Sequence, residues 1–243
     1  MSAKTPSLLV SFSGIDGAGK GTQIEHLKSM FEQRGLTVRV IAFWDQIATL
    51  KRVRESAGHS IFKGDKGVGS PSAPIEKRDK NVRSFPMTVV RLGMYLLDAM
   101  SNRRAAKRAA HSGVDLVIFD RYIYDELANL ELSNGLMRLY ARVLLKLVPR
   151  PDISYLLDAD PQKARARKPE YPLDFLVLNR QAYVSLSELA GMVVMSAAPI
   201  DEVKQAVVER AAGLLEGRLR AENSWIELDE GVVPTEPAHR RPA

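Results

Sequence analysis

The chain has 243 residues, a formal net charge of +6, and 45% hydrophobic against 26% charged residues. That balance fits one α/β domain with its own core and argues against global disorder, collagen-like repeats and coiled-coil rods. Without cysteine there is no disulfide scaffold or thiolate metal site, and His26, His59, His111 and His239 form no H-x-x-x-H pair. The basic excess suits phosphates, nucleotides, nucleic acid or an anionic membrane, without choosing among them.

Leu8–Ser13 (LLVSFS) reads as a short buried strand ending at Gly14. This apolar run is too short for a signal segment, and nothing approaches the ~20 apolar residues of a membrane helix, so a cytoplasmic protein is expected. Thr22 to Arg34 reads as a helix stopped by Gly35, and Leu36–Phe43 as the second strand. The opening is therefore one βαβ unit. Residues 51–86 lack any sustained period and carry nine Lys/Arg against four Asp/Glu. They read as a long mobile insertion, with a helical turn conceivable near Leu50–Arg54.

Thr88 to His111 reads as a long helix, with Val89, Leu92, Leu96 and Met100 on one apolar face. Val114–Phe119 is the third strand, Gly135–Val148 a helix and Ile153–Leu157 the fourth strand. Asp174–Gly191 is helical, Met192–Met195 a short strand and Asp201–Arg220 an amphipathic helix. Trp225–Leu228 reads as a last short strand, with a flexible tail over 229–243. The expected organisation is a single domain over 1–228. Alternating strands and helices imply a parallel sheet with helices on both faces, and ligands at the carboxyl ends of the strands.

Gly14-Ile15-Asp16-Gly17-Ala18-Gly19-Lys20-Gly21-Thr22 begins with the phosphate-binding pattern G-x-x-x-x-G-K, between a strand and a helix. Glycines let the chain wrap a phosphate with its amides pointing inward, and the helix N-terminus adds positive potential. Lys20 brings a full charge to the outer phosphates. The bland alternative, a glycine-rich turn with a surface lysine, does not explain the strand–loop–helix register. Gly21 replaces the usual Ser/Thr, which leaves Thr22 as the hydroxyl nearest the metal position. Val117-Ile118-Phe119-Asp120-Arg121-Tyr122 is an apolar strand ending in an acid. In P-loop enzymes a carboxylate there holds magnesium or its waters. Arg121 meets either a phosphate or a surface carboxylate. Arg91, Tyr95 and Asp98 fall at i, i+4 and i+7 on the long helix: either one edge of an acceptor pocket or a boundary stripe. Lys163, Arg165, Arg167 and Lys168 fall within six residues after the fourth strand.

FSGIDGAGKGTQ and VIFDRY together resemble the thymidylate kinase family of P-loop nucleoside monophosphate kinases. LLDADPQKARAR is similar to that family's strand-to-lid passage, RQAYVSLSEL to its next helix and MSAAPIDEVKQAVVERAAGLL to its final strand and helix. The resemblance covers most of 8–48 and 113–217 and is weak over 49–112. It implies a three-layer P-loop NTPase sandwich, ATP and Mg2+, phosphorylation of dTMP to dTDP, and a homodimer through the central helices. It makes 160–172 an arginine-bearing lid and Asp16 a contact to an acceptor sugar hydroxyl. The candidate ATP-binding residues are the nine from Gly14 to Thr22. Lys20, Asp120, Arg121, Arg165 and Arg167 are the catalytic candidates, with Thr22 and Asp120 for the metal. Asp16, Arg91, Tyr95, Asp98 and Tyr122 are the acceptor-binding candidates.

The acceptor half departs from the family. Phe43-Trp44-Asp45-Gln46-Ile47 stands where an R-E-P-G-G-T-type segment is usual. The central-helix arginine position falls near Asp98, and Ile123-Tyr124-Asp125-Glu126 lacks the usual serine. These departures keep open a P-loop kinase of another small acceptor, such as a nucleoside or sugar, while the basic charge and residues 51–86 keep open a nucleotide-binding regulatory protein. Residues 51–86 have few aromatics for base stacking, so a nucleic-acid partner is not expected.

Overall fold

Apolar residues at nearly every position of a strand signal burial on both faces, as in a parallel sheet sandwiched by helices. The computed structural model, in which residues 6–47 and 85–230 are described, has that arrangement. The elements are β1 (Leu8–Ser13), α1 (Lys20–Glu32), β2 (Val38–Ala42), a π-helical turn (Phe43–Ile47) and α2 (Phe85–Ala110). They continue with β3 (Leu116–Asp120), α3 (Ile123–Leu127), α4 (Gly135–Leu147), β4 (Ile153–Leu157) and α5 (Pro161–Arg167). The last three are α6 (Leu173–Ala190), β5 (Val193–Met195) and α7 (Ile200–Glu230). All strand pairs are parallel, in the order β2-β3-β1-β4-β5.

Strand alternation divides the apolar residues between two cores. Leu8, Val10 and Phe12 of β1, Leu116 and Ile118 of β3, and Ile153, Tyr155 and Leu157 of β4 pack with Ile24, Leu27 and Phe31 of α1 and Val207, Val208 and Ala211 of α7. Leu9, Val117, Phe119 and Leu156 face the opposite side, with residues of α2, α3, α4 and α6. The result is the three-layer α/β sandwich expected from sequence. Arg218 of α7 reaches back to the Pro6 and Ser7 carbonyls and pairs with Asp152, tying the last helix to the entry of β1.

Three expectations need correction. On α2 the face carrying Val89, Leu96 and Met100 is exposed, at 53%, 41% and 39%. The inward line is Tyr95, Asp98, Ala99, Asn102, Ala106 and Ala109. Leu92 alone of the expected face packs on the core. Second, Trp225–Leu228 is helical, because α7 runs unbroken to Glu230 through a stretch with no Gly or Pro after Gly217. The expected tail therefore begins inside that helix, and its remainder lies outside the described residues. Third, α2 begins at Phe85, inside the expected insertion; the rest of 51–84, including the turn near Leu50–Arg54, also lies outside the described residues. The short helix α3 has no counterpart in the sequence reading.

Candidate active site

The carboxyl ends of β1 and β3 lie side by side, with Phe12 opposite Asp120. One strand leads into the glycine loop and α1, the other into Arg121 and α3. Two loops therefore open at the centre of the sheet, where doubly wound folds bind ligands.

The glycines of the loop are dictated by geometry. Gly14, Gly17 and Gly19 have φ of 140°, 81° and 93°, outside the easy range of other residues. A Cβ on Gly14 would lie 2.7 Å from the Leu157 carbonyl oxygen, and one on Gly17 would strike the Ala164 carbonyl of α5. Helix α5 thus rests directly on the loop. Gly21 faces open space, so its lack of a side chain is not forced by packing. Ile15 is buried in the core and anchors the loop.

Lys20, at the first position of α1, is buried and donates from Nζ to the Gly14 and Ile15 carbonyls at 2.7 and 3.0 Å. Burial, and then the Arg121 cation, push its ammonium down to about 8. Arg121 is the only non-glycine residue with positive φ (69°) among the described residues. Its guanidinium pairs with Asp16 of the loop and, at 3.0 Å, with Asp125 of α3. Burial opposes this charge, but Asp125, Tyr183 and Asp16 outweigh it and hold the guanidinium above its ordinary value. For Asp16, burial works upward but is overcome by Arg121, Lys20 and Lys168, so its carboxyl sits below the usual range.

Asp125 is the residue that sequence reasoning undervalued. Its buried carboxylate accepts from Ser13 Oγ (2.7 Å), Tyr183 Oη (2.7 Å), Arg121 Nη1 (3.0 Å) and the Tyr122 amide (3.2 Å). Burial and this carboxylate raise the Tyr183 phenol well above its ordinary value, which keeps it a donor. The spacing of Asp125, four residues after Arg121 on a helical turn, was the available signal. Arg180 of α6 is a second unforeseen element: it grips Asp158, just beyond β4, through two bonds of 2.6 and 2.7 Å.

A cavity of about 740 Å³ opens beside the loop. Ala18, Gly19 and Thr22 line it on one side, Lys163, Ala166 and Arg167 of α5 on another, and the Ser196–Pro199 connection on the third. Its size suits a nucleoside. Asp160 caps α5 by accepting from the Lys163 amide at 2.9 Å, and Pro161 follows at its first position. Arg167 faces this cavity, with Nε donating to the Lys163 carbonyl at 3.3 Å, whereas the half-buried Arg165 does not line it. The two arginines point apart, as their spacing requires.

The acceptor candidates are not brought together. Arg91 lines a groove of about 610 Å³ with Asn129, Phe175, Asn179 and Gln181. Tyr95 and Asp98 lie buried on the inward face of α2 and do not line that groove. Tyr122 is sequestered in the core, its hydroxyl donating to the Pro149 carbonyl at 2.5 Å. Tyr171 is pushed up to about 12 by burial and the nearby Asp16 and Glu170 carboxylates, and it stacks on Phe175 at 4.9 Å. This pair leads from the Asp16–Arg121 contact to the Arg91 groove.

Thr22 is exposed at the first turn of α1, and Asp120 is half-buried at the end of β3. A hydroxyl and a carboxylate are hard oxygen donors that fit magnesium. Among the described residues there is no cluster of three or more His, Cys, Asp or Glu side chains able to hold a metal. No helix among the described residues is long and apolar enough to cross a membrane.

No family model matches the chain. Curated relatives do. A probable thymidylate kinase of Archaeoglobus fulgidus is 26% identical over 209 residues, covering 82% of this chain and 92% of that protein. A thymidylate kinase of Bifidobacterium longum is 29% identical over 190 residues, covering 74% and 84%. A probable thymidylate kinase of Pyrobaculum aerophilum is 34% identical over 196 residues, covering 77% and 87%. With the glycine loop, the Asp120-Arg121 strand end and a basic helix resting on the loop in one parallel sandwich, the chain belongs to the thymidylate kinase family.

Proposed function

We propose that the protein transfers the γ-phosphoryl group of ATP to dTMP, giving dTDP and ADP. The observation that carries this reading is the convergence of Lys20, Asp16 and Arg121 at the carboxyl ends of β1 and β3, beside a nucleoside-sized cavity. The ATP phosphates lie in the glycine loop, against its inward amides and the N-terminus of α1. Lys20 exchanges the Gly14 and Ile15 carbonyls for phosphate oxygens, which restores a counter-charge to a buried ammonium. Arg121 spans the space between donor and acceptor phosphates. Residues 160–172 act as the lid: Arg167 covers the donor side, and Arg165 and Lys168 supply charge toward the transferring group while excluding water. Thr22 and Asp120 would hold magnesium, which neutralises charge on the donor phosphates when bound.

For the acceptor, Arg91 and the groove behind Phe175 are the proposed monophosphate and base contacts, with Asp16 facing the sugar. The exposed apolar stripe of α2, from Val89 to Met100, is the proposed homodimer face, and the cytoplasm the proposed compartment. The deciding experiment measures ADP release with ATP and magnesium, offering dTMP and thymidine side by side. Turnover of dTMP is expected. Turnover of thymidine alone would assign a nucleoside kinase, and no ADP release with either would refute phosphotransfer to this acceptor class.

A further inference from the structure

Asp125 has more partners than a helix start requires. Capping a short helix takes one acceptor for a backbone amide, and the Tyr122 amide fills that role at 3.2 Å. The remaining three donors come from separate parts of the fold: Ser13 at the end of β1, Tyr183 in the middle of α6, and Arg121 at the end of β3. Ser13 and Tyr183 bring the carboxylate neutral hydrogen bonds only. Its ion-pair partner among the described residues is Arg121, whose other amino group reaches Asp16 in the glycine loop. A continuous chain of side chains therefore runs from α6 through Tyr183, Asp125, Arg121 and Asp16 to the phosphate cradle. Arg121 adopts a left-handed backbone, held by its amide's bond to the Phe12 carbonyl at 3.0 Å as well as by its side-chain pairs.

We propose that Asp125 is a positioning residue for phosphoryl transfer: it fixes the Arg121 guanidinium between α6 and the glycine loop, so that Arg121 meets the phosphates already oriented. This rests on the phosphotransfer reading above. A guanidinium free to rotate must be ordered at each turnover, whereas one held by two carboxylates is aligned beforehand. The link to α6 makes the helix that follows the lid part of the same support.

The test uses the full chain and reads two independent quantities. In nitrogen-15 spectra the Arg121 guanidinium should give separate, slowly rotating Nη signals in the wild type and averaged signals in Asp125→Asn. In initial rates with ATP, magnesium and dTMP, Asp125→Asn should lower kcat by about 30-fold while KM for ATP moves less than about twofold. In an Arg121→Ala background the same substitution should cost less than about twofold, because its effect passes through the arginine. Asp125→Glu, which keeps the charge, should recover part of kcat. Should Asp125→Asn fail to fold, Tyr183→Phe removes one anchoring donor and keeps every charge; it should lower kcat about threefold, again only when Arg121 is present. Unchanged kcat with separate Nη signals in folded Asp125→Asn, or equal losses in both backgrounds, overturns the proposal. A wild type that does not phosphorylate dTMP refutes the dTMP kinase reading, and the nitrogen-15 comparison then decides the role of Asp125 alone.

Discussion

Lys20 and Gly14 bracket the glycine loop and close it on itself: the ammonium donates to the Gly14 carbonyl at 2.7 Å. The contact satisfies hydrogen bonds but supplies no full opposite charge, and burial pushes the ammonium from 10.5 down to about 8. The unfolded chain therefore holds this proton at pH values where the folded protein has lost it. Between about pH 8 and the unfolded value, stability of the ligand-free protein rises with pH. Lys20→Met removes that rise, worth on the order of 3 kcal/mol across the window. Urea unfolding of both proteins at about pH 7 and about pH 10 checks it. Identical pH dependence in the two would place Lys20 among ordinary lysines.

Gly17 and Gly21 should respond oppositely to substitution. Gly17→Ala meets the Ala164 carbonyl and imposes a side chain at φ 81°, so helix α5 must lift from the loop. A loss of about 1–3 kcal/mol in stability and a weaker KM for ATP are expected. Gly21→Ser enters open space in a helix and restores the hydroxyl common in P-loops. Its stability should stay within about 0.5 kcal/mol of wild type. Thermal melts and ATP titrations of the pair separate the two cases.

Asp120 closes β3 in register with Phe12, next to the start of the glycine loop. Asp120→Asn preserves the shape of the side chain and removes its charge. Half-maximal activity should then need at least about tenfold more magnesium, with little change in the melting temperature. A magnesium titration that superimposes on wild type would make Asp120 a strand terminus and nothing more.

Leu96 and Leu97 of α2 are 41% and 45% exposed, although both are strongly apolar. Double replacement by glutamate removes only the partial packing these side chains have within the protomer and places charge at the proposed pairing face. Sedimentation should show a dimer in the wild type and a monomer in the variant, with the fold intact by circular dichroism. A wild type that sediments as a monomer at about 50 μM would remove the pairing proposal.

Residues fixed by local rules were legible in the sequence. β1 and β4 match their expected limits, since an unbroken apolar run flanked by loop residues has few other solutions. The glycine loop was legible because its backbone angles demand particular residues. The orientation of α2 was not: its leucines form the stronger apolar stripe, yet the side with Ala99, Ala106 and Ala109 is the buried one. Hydropathy ranks the faces of a helix by transfer energy and ignores what packs against them. Asp125 escaped for a related reason. Its partners Ser13 and Tyr183 lie 112 and 58 residues away, and no spacing rule connects them.

The central position of β1 also governs when the site can form. Both of its neighbours come from far along the chain, through Leu8 opposite Leu116 and Val10 opposite Ile153. Pairings across more than 100 residues carry a large loop-closure cost and tend to slow folding. During synthesis the glycine loop emerges early yet has no sheet to stand on until β4 has left the ribosome. A nascent chain therefore gains no stabilisation from ATP over its first half. Nucleotide should protect translation intermediates from proteolysis only when the nascent chain is long enough to include β4 and α5.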